Sequence, residues 1–439
     1  MHTGGCGLAR ILFVTSPFGR FFRVFAEDLT SRGHKVWRIA WDGGDFISTP
    51  SHHRITFPKR DANYERFIKA AILKHHITAI VTYNDTGVRN RAAIKLATSM
   101  GLSRYIIEHG YLRPHWITFD RDGVNGHSTL PKEGAFYHNN NDGFETARAF
   151  PCRMRDQVLS TIKHFGVSIV LYPWIPFDTA YYGDSIFAQG TGYIAEYLWR
   201  KTNSERKAVE EIVQHRRDGK KIFSVILQKP GDAQLRVHSS YGSNNPFLRE
   251  ACQSFAAFAP KDAVLVVKQH PLDYGVERTP PLFASLVKQF NLEGRAYYLR
   301  KTSIDIVLDN TDGFVTINST AGLAAVQRGL PVKCCGKAIF DMEGLTFQGS
   351  LDAFWTAATA PDEETTRAFI GYLTKYSQIN GALYAPKGIE LASRALCDII
   401  SYDLFSPHHT GAPEKTAAWD KVAPASMPVP IPVPALNAI

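Results

Sequence analysis

The sequence predicts an α/β protein built from two Rossmann-like domains that face each other across a cleft. Short apolar runs with strand character alternate with amphipathic helical runs over most of the 439 residues. This alternation is typical of a parallel sheet covered by helices. A polar helical segment at residues 201–220 interrupts the alternation, which then begins again. A chain of this length is also expected to form two or three domains.

The first series of elements lies in residues 1–205. Its strands are runs of apolar and β-branched residues, and its helices carry apolar residues at helical spacing. Gly33 follows the first helix and is a natural stop for it. The predicted strands are Ile11–Thr15, Val36–Trp41, Ala79–Tyr83, Tyr105–Glu108 and Ser168–Tyr172, and the predicted helices are Phe21–Ser31, Tyr64–Lys74, Val88–Met100 and Gly192–Arg200.

A long segment from Arg113 to Asn141 breaks this series. It is rich in Gly, Asn, His and Pro and shows no helical or strand period. Long loops without secondary structure are usually functional or disordered. We therefore expect this segment to contribute to a site.

The second series of elements lies in residues 206–405. Residues 406–439 follow it and include the proline-rich run Met427–Pro434, which predicts a polyproline-type, disordered tail. The predicted strands of this series are Ile222–Leu227, Ala263–Val267, Tyr297–Leu299, Phe314–Ile317 and Val332–Cys334, and the predicted helices are Pro246–Phe258, Pro281–Phe290, Ala321–Arg328, Glu363–Tyr376 and Ile389–Tyr402.

Composition excludes several classes of protein. No apolar run approaches the ~18 residues of a membrane span, and six cysteines without a CxxC pair argue against a zinc ribbon. We expect a cytoplasmic protein. The 50 Lys and Arg exceed the 41 Asp and Glu, but no basic stripe with interleaved aromatics indicates nucleic acid. The densest basic cluster, Arg216–Lys221, is either a solvated helix end or a contact for an anionic partner such as a membrane.

Candidate site residues follow two predicted strands, one in each series. Glu108 and Arg113 come at the end of the strand Tyr105–Glu108, with Gly110 between them. Lys268 and His270 follow the strand Ala263–Val267 of the second series. Because they are two residues apart, their side chains lie on one face. Because ligands of such sheets bind beyond the carboxyl ends of the strands, these residues are candidates for binding and catalysis. A structural ion pair and a buried histidine are the alternatives.

Two further strand ends carry polar residues. Ser319 or Thr320, after Asn318, can cap the next helix, whose free N–H groups can also take an anion. Simple capping is the alternative. Gln228 and Asp232 follow another strand, although Pro-Gly-Asp is also a turn signature.

Metal-binding motifs do not find support in the sequence. Asp120 and Asp122 form a DxD pair like that of metal-dependent transferases, but no other ligands surround them in the loop. A hydrogen-bonded turn is the better interpretation. We expect neither a metal nor an organic cofactor.

Several separated blocks resemble the capsular polysaccharide biosynthesis family of the KpsS type. The resemblance spans about residues 11–405, with its blocks in the same order. The blocks are Pro17-Phe-Gly-Arg-Phe-Phe22, Asp42-Gly-Gly-Asp45, Glu108-His-Gly-Tyr-Leu-Arg-Pro114, Gly123-Val-Asn-Gly-His-Ser128, Lys268-Gln-His-Pro271, Ile317-Asn-Ser-Thr320 and Gly344-Leu-Thr346.

The resemblance implies a GT-B fold and a retaining β-Kdo transferase that uses CMP-Kdo. It implies that residues 1–205 form the acceptor-side domain and residues 206–405 the nucleotide-sugar domain. Relatives suggest Asp232 as the nucleophile and Glu108 as the acid/base group. His270, which could bind a phosphate leaving group, is the third candidate catalytic residue. Substrate contacts are expected at Arg20, Asp45, Arg113, Asn125, Gln228, Lys268, Asn318, Ser319 and Thr320. A monophosphate leaving group can be neutralised by cations and a helix N-terminus without a metal.

The resemblance also implies partners and a location. The acceptor would be a (lyso)phosphatidylglycerol-type lipid, on which a short β-Kdo linker begins. The protein would attach peripherally to the inner membrane and work beside other capsule biosynthesis or export proteins. Two alternatives stay open: a non-catalytic capsule assembly or export component, and a GT-B transferase for another CMP-activated sugar acid, such as sialic acid.

Overall fold

Seven strands form the first sheet of the computed structural model, which describes residues 8–58, 63–141, 143–175 and 186–405. The strand order is β12-β6-β5-β4-β1-β2-β3, with β1 to β5 parallel and with β6 antiparallel to both of its neighbours. The strands are β1 (Arg10–Phe13), β2 (Lys35–Ala40), β3 (Arg54–Thr56), β4 (Ala79–Tyr83), β5 (Ser103–His109), β6 (Trp116–Asp120) and β12 (Gln378–Asn380).

Helices cover both faces of this sheet. Phe21, Phe22, Phe25 and Leu29 share one side of the first helix and are buried, and the rings of Phe22 and Phe25 meet Phe13 of β1 edge-on. This apolar stripe explains why the segment folds as a helix against the sheet. The helices of this half are α1 (Phe21–Ser31), α2 (Gly43–Ser48), α3 (Tyr64–His75), α4 (Val88–Ser99), α5 (Gly134–Asn139), α6 (Met154–Val170) and α7 (Ile186–Thr202).

Five parallel strands form the second sheet, in the order β11-β10-β7-β8-β9. Every residue of β7 and β8 is buried, as expected for a parallel sheet covered on both faces. The strands are β7 (Ile222–Ile226), β8 (Val264–Lys268), β9 (Ala296–Leu299), β10 (Gly313–Thr316) and β11 (Val332–Cys334). The helices are α8 (Arg206–Arg217), α9 (Ala233–Val237), α10 (Asn244–Phe258), α11 (Thr279–Gln289), α12 (Ile304–Asp309), α13 (Thr320–Gln327), α14 (Leu351–Ala357) and α15 (Glu363–Tyr376).

The predicted fold class, two α/β halves with largely parallel sheets, is confirmed. Side chains from both halves share one apolar cluster, in which Tyr111 and Tyr137 belong with Ile226, Leu323 and Phe340. The two sheets are therefore held together by a common core.

The chain returns to the first sheet near its C-terminal end, which the sequence analysis did not anticipate. β12 pairs with β6, and α16 (Pro386–Phe405) packs on α1. Residues 378–405, predicted to be part of the second domain, thus complete the first sheet. The position of the domain boundary at 205/206 stays a prediction, and the predicted disordered tail, residues 406–439, lies outside the described residues.

Two other local predictions were wrong. Ser168–Tyr172, predicted as a strand, belongs to the C-terminal end of α6 and the turn after it. Its apolar residues are exposed rather than buried in a sheet, since Ile169 and Val170 face outward. The segment from Arg113 to Asn141 contains β6 and α5. β6 was missed because its antiparallel pairing with β5 breaks the βα alternation.

The described helices include none whose length and hydropathy would allow it to cross a bilayer.

Candidate active site

Two carboxylates from different sheets lie near each other between the two halves. Glu108 is the penultimate residue of β5 and is half-buried; its Oε1 accepts the backbone N–H of His109 at 3.0 Å. Burial raises the pKa of Glu108 to about 7, and the negative charge of Asp232 contributes to that rise. Asp232 ends the turn after β7, where its N–H donates to the carbonyl of Lys229. The structure thus brings together the predicted nucleophile and acid/base group.

His270 lies in a strongly basic environment at the carboxyl end of β8. Burial first, and then positive charges nearby, lower the pKa of His270 to about 3, so the ring is neutral at physiological pH. The charges belong to Lys229, Arg113, Lys268 and Arg200. Arg113 and Arg200 belong to the first half and Lys229 and Lys268 to the second, so both halves of the protein contribute cations to this site. Such a concentration of positive charge suits an anionic ligand.

The hydrogen bonding of His270 defines its tautomer. Nδ1 accepts the backbone N–H of Leu272 at 3.0 Å. The proton of the neutral ring is therefore on Nε2, which can donate a hydrogen bond to an anionic oxygen. The sequence predicted that His270 binds a phosphate. The structure is consistent with binding by a neutral hydrogen-bond donor rather than by an imidazolium.

Lys268 is more enclosed than predicted. Its Nζ donates to the carbonyls of Gln269 (2.6 Å) and Arg300 (3.2 Å). Burial lowers the pKa of Lys268 to about 8. The ammonium contributes its charge to the surroundings of His270, while its hydrogen bonds go to the backbone.

The predicted polar residues at the ends of β7 and β10 meet. Gln228 Nε2 donates to Asn318 Oδ1 at 2.6 Å, and both side chains are buried. Gln228 Oε1 is buried, and no residue in the described part of the chain forms a hydrogen bond with it. Ser319 caps α13 by accepting the N–H of Ala321, so the capping interpretation holds for this residue. Thr320 is the first residue of α13 and is half-buried.

Three other predicted substrate contacts lie outside this hydrogen-bonded group of described residues. Asp45 is buried, where it pairs with Arg38 and accepts the N–H of Trp41. Arg20 precedes α1 and is exposed. Asn125 donates its backbone N–H to the Tyr111 hydroxyl at 2.7 Å. The role of Asp45 in particular is better explained by its buried ion pair.

The structure also gathers residues that sequence reasoning missed. Asp85 Oδ2 accepts the N–H of Val124 at 2.9 Å and lies 3.2 Å from His127 Nδ1. The His127 ring lies 4.5 Å from that of His238, which follows α9 in the second half. Asp85 Oδ1 and His238 Nε2 are buried and have no hydrogen-bond partner among the described residues. This trio has donor atoms close enough to hold a cation, although no metal ligand was predicted.

A glycine in the loop motif allows this contact. A Cβ at position 126 would lie 2.4 Å from Nδ1 of His238, so the histidine of the second half can approach only a glycine here. The motif Gly123-Val-Asn-Gly-His-Ser128 was noted in the sequence, but its partners lie far away along the chain. Asp42, Asp45 and His164 form a second possible cation group, which is buried within the first half.

Comparison with known proteins decides the family. The sequence profile described as "Capsule polysaccharide biosynthesis protein" matches residues 78–384. The chain belongs to this family. The match includes Glu108, Asp232 and His270, and it confirms the resemblance identified from the sequence.

Individual relatives cover most of the chain. The Capsule polysaccharide export protein KpsS of Escherichia coli is 29% identical over 386 residues, which are 85% of this chain and 97% of that protein. The Capsule polysaccharide modification protein LipB of Neisseria meningitidis serogroup B is 31% identical over 393 residues, 85% of this chain and 91% of that protein. Among solved structures, Thermosulfurimonas dismutans KpsC, beta Kdo 2,7 transferase, aligns with a TM-score of 0.42 and 14% identity, covering 89% of this chain and 97% of its own.

Proposed function

We propose that the protein is a retaining β-Kdo transferase. It moves Kdo from CMP-Kdo to a (lyso)phosphatidylglycerol-type lipid and so begins the β-Kdo linker of a capsule. The observation that carries this proposal is the pair Glu108 and Asp232. Two carboxyl groups from opposite halves interact electrostatically, and burial, together with the charge of Asp232, raises the pKa of Glu108 to about 7. Two carboxyl groups in different environments are what a double displacement needs.

In the first step the Asp232 carboxylate attacks the anomeric carbon of Kdo. A Kdo–enzyme ester forms, and the bond between the anomeric carbon and the phosphate oxygen breaks, so that CMP leaves with the electron pair. The leaving phosphate is received by the basic environment of His270. Nε2–H of His270 donates to it, and Lys229 adds positive charge.

In the second step the acceptor hydroxyl attacks the ester-bound anomeric carbon from the opposite face. Glu108, as a carboxylate, takes the hydroxyl proton, and the ester bond breaks to restore Asp232. Two inversions give net retention. A pKa of about 7 suits this role, because the group exists in both protonation states near neutral pH.

Arg113 is our candidate for binding the carboxylate of Kdo. It is exposed and follows β5, its Nε donates to the carbonyl of Gly110 at 3.3 Å, and its charge reaches His270. An arginine can pair with a carboxylate through two parallel hydrogen bonds. Arg20 is the second candidate.

A non-catalytic role in capsule assembly or export is the competing function. It is favoured by the name of one relative, a capsule polysaccharide export protein. A transferase for another CMP-activated sugar acid would keep the same carboxylates and cations. These three possibilities differ in what the purified protein binds and transfers.

The decisive experiment supplies CMP-Kdo, generated in situ, together with lysophosphatidylglycerol, and reads the lipid products by mass spectrometry. We expect a product heavier by one Kdo residue, and CMP should raise the melting temperature more than UMP or GDP does. Asp232→Asn should give no product, whereas Asp262→Asn, a matched change at an exposed carboxylate of the second half, should behave as wild type. Stabilisation by CMP without transfer of Kdo would favour another sugar acid, and no effect of any nucleotide would favour the non-catalytic role.

A further inference from the structure

The helix α6 is built with its polar side inward and its apolar side outward. Its buried residues are His164 and Ser168. His164 Nε2 lies 3.1 Å from Asp42 Oδ2, and Ser168 Oγ accepts the N–H of Gly44 at 2.9 Å. A surface helix of a water-soluble domain normally has the reverse arrangement.

The outward side of α6 carries a row of large apolar residues. Leu159, Ile162 and Val170 lie on the side of the 17-residue helix that faces away from its two buried residues. Met154, Val158 and Ile169 are exposed next to this side. The turn after the helix adds two aromatic residues, of which Trp174 is 76% exposed. We call this set the α6 surface, and its members are Met154, Val158, Leu159, Ile162, Ile169, Val170, Tyr172 and Trp174.

The charges next to these residues are mainly basic. From Arg153 to Ile175 the chain has three Lys or Arg residues and one acidic residue, Asp156. Arg153, Arg155 and Lys163 are exposed. An exposed apolar helix face with basic neighbours, followed by Trp and Tyr, fits the interfacial region of an anionic bilayer, where aromatic rings lie at headgroup level.

The helix α7 repeats the pattern at the end of the first half. Ile194, Tyr197 and Leu198 are exposed, while Glu196 is buried and pairs with Arg200 and Arg300. Both helices on either side of residues 176–185 thus turn apolar residues to solvent. Scattered single apolar residues are normal on a surface, whereas a continuous apolar helix face indicates an interaction site.

Contacts connect the buried side of α6 to the carboxylate site. The Phe18 ring stacks on His164 of α6, with ring centres 4.1 Å apart. The Tyr384 side chain hydrogen-bonds to the backbone of Phe18 and lies close enough to Glu108 to sense its charge. The helix that carries the α6 surface is therefore connected to the proposed acid/base group through Phe18 and Tyr384.

We propose that the α6 surface docks the protein on an anionic lipid bilayer, with α6 lying in the plane of the headgroups. The proposal gives the lipid acceptor of the proposed function its point of approach, and it rests on that function only for the acceptor's identity. It assigns membrane contact to a surface other than the basic cluster at residues 216–221. There Arg216 and Lys221 each lie 3.8 Å from Asp312, which offsets part of their charge.

Flotation with vesicles of phosphatidylcholine, alone or with about one-third phosphatidylglycerol, tests this surface. We expect the full-length protein to float with the anionic vesicles. The double variant V158E/I162E should lose about tenfold in bound fraction, because two charges would enter the apolar boundary. The matched control L73E/F258E changes two residues of similar exposure, 56% and 51%, on α3 and α10, and should float as wild type does. Trp174→Ala should lose part of the binding.

Three outcomes would overturn the proposal. They are equal flotation of V158E/I162E and wild type, no flotation of wild type, and loss of flotation only in R216E/R217E. Self-association or capture of a protein by the α6 surface without vesicle binding would likewise replace the lipid by a protein partner. CMP-induced stabilisation, measured on the same variants, separates the two proposals. A V158E/I162E protein that CMP still stabilises but vesicles do not bind supports docking and leaves the site intact. Vesicle binding without any nucleotide effect counts against the transferase alone.

Discussion

Glu108→Gln should make the protein more stable above neutral pH while it prevents transfer. The physical reason is that burial disfavours the ionised form of Glu108, whose pKa rises to about 7. The unfolded chain has no such burial and ionises this group near its ordinary value of 4.5. Glutamine keeps the shape and can still accept the N–H of His109, but it carries no charge to desolvate.

The sign and size of the effect follow from proton linkage. Below pH 4.5 the group is protonated in both states, and the variant and wild type should be similar. Between pH 4.5 and 7 the native state binds more protons than the unfolded state, so wild-type stability falls as pH rises. A pKa difference of one is worth about 1.4 kcal/mol. The rise from 4.5 to about 7 therefore costs wild type about 3 kcal/mol of its free energy of unfolding above pH 7. Solvent reaches half-buried Glu108, so we expect about 2 kcal/mol.

Urea unfolding of both proteins at pH 4.5, 6 and 8 measures the difference. The control is Glu293→Gln, which changes an exposed glutamate of the second half and should show no such pH-dependent gain. If the free energies of unfolding of Glu108→Gln and wild type differed by the same amount from pH 4.5 to 8, the reasoning would be refuted. A variant that is less stable than wild type at pH 8 would refute it too, since an ion pair would then be holding Glu108 ionised.

The remaining predictions concern the covalent step, the donor site and the pair of histidines. With CMP-Kdo, intact mass spectra should show a Kdo adduct in Glu108→Gln and none in Asp232→Asn; wild-type rates in Asp232→Asn would favour front-face attack. His270→Ala should lose transfer and CMP-induced stabilisation. Its free energy of unfolding should stay within about 1 kcal/mol of wild type, since the change removes one hydrogen bond. Unchanged turnover would place the donor site elsewhere. Burial lowers the pKa of His238 to about 4, so this residue should account for about 2 kcal/mol of the stability that wild type loses between pH 6.5 and 5. His238→Asn should therefore lose about that much less than wild type in urea unfolding, and equal losses would contradict this.

Local sequence determined the strands that carry the site. β4, β7 and β8 are apolar runs that bury nearly all of their residues, and such runs can be found without knowing their partners. The site then follows from topology, since Glu108 and His270 had to lie at strand ends. Asp232 follows the end of β7 in the same way.

Tertiary structure alone decided which groups meet there. His238 contacts His127 from the other half of the chain, and Arg113 adds its charge to a histidine that lies more than a hundred residues away. These contacts depend on how the two sheets are oriented, and no local pattern encodes that orientation. The same holds for β12, whose pairing with β6 is set by the fold of the whole chain.

The orientation of α6 shows most clearly what the sequence alone does not determine. Its apolar run Ile169–Leu171 has the composition of a buried strand, and periodicity cannot separate such a short run from a helix. Sequence determined that these residues are apolar. Only the tertiary structure decided that Ile169 and Val170 point outward. His164 and Ser168 find buried partners in α2 and at its N-cap Asp42, and the opposite side of the helix must then face solvent or a bilayer.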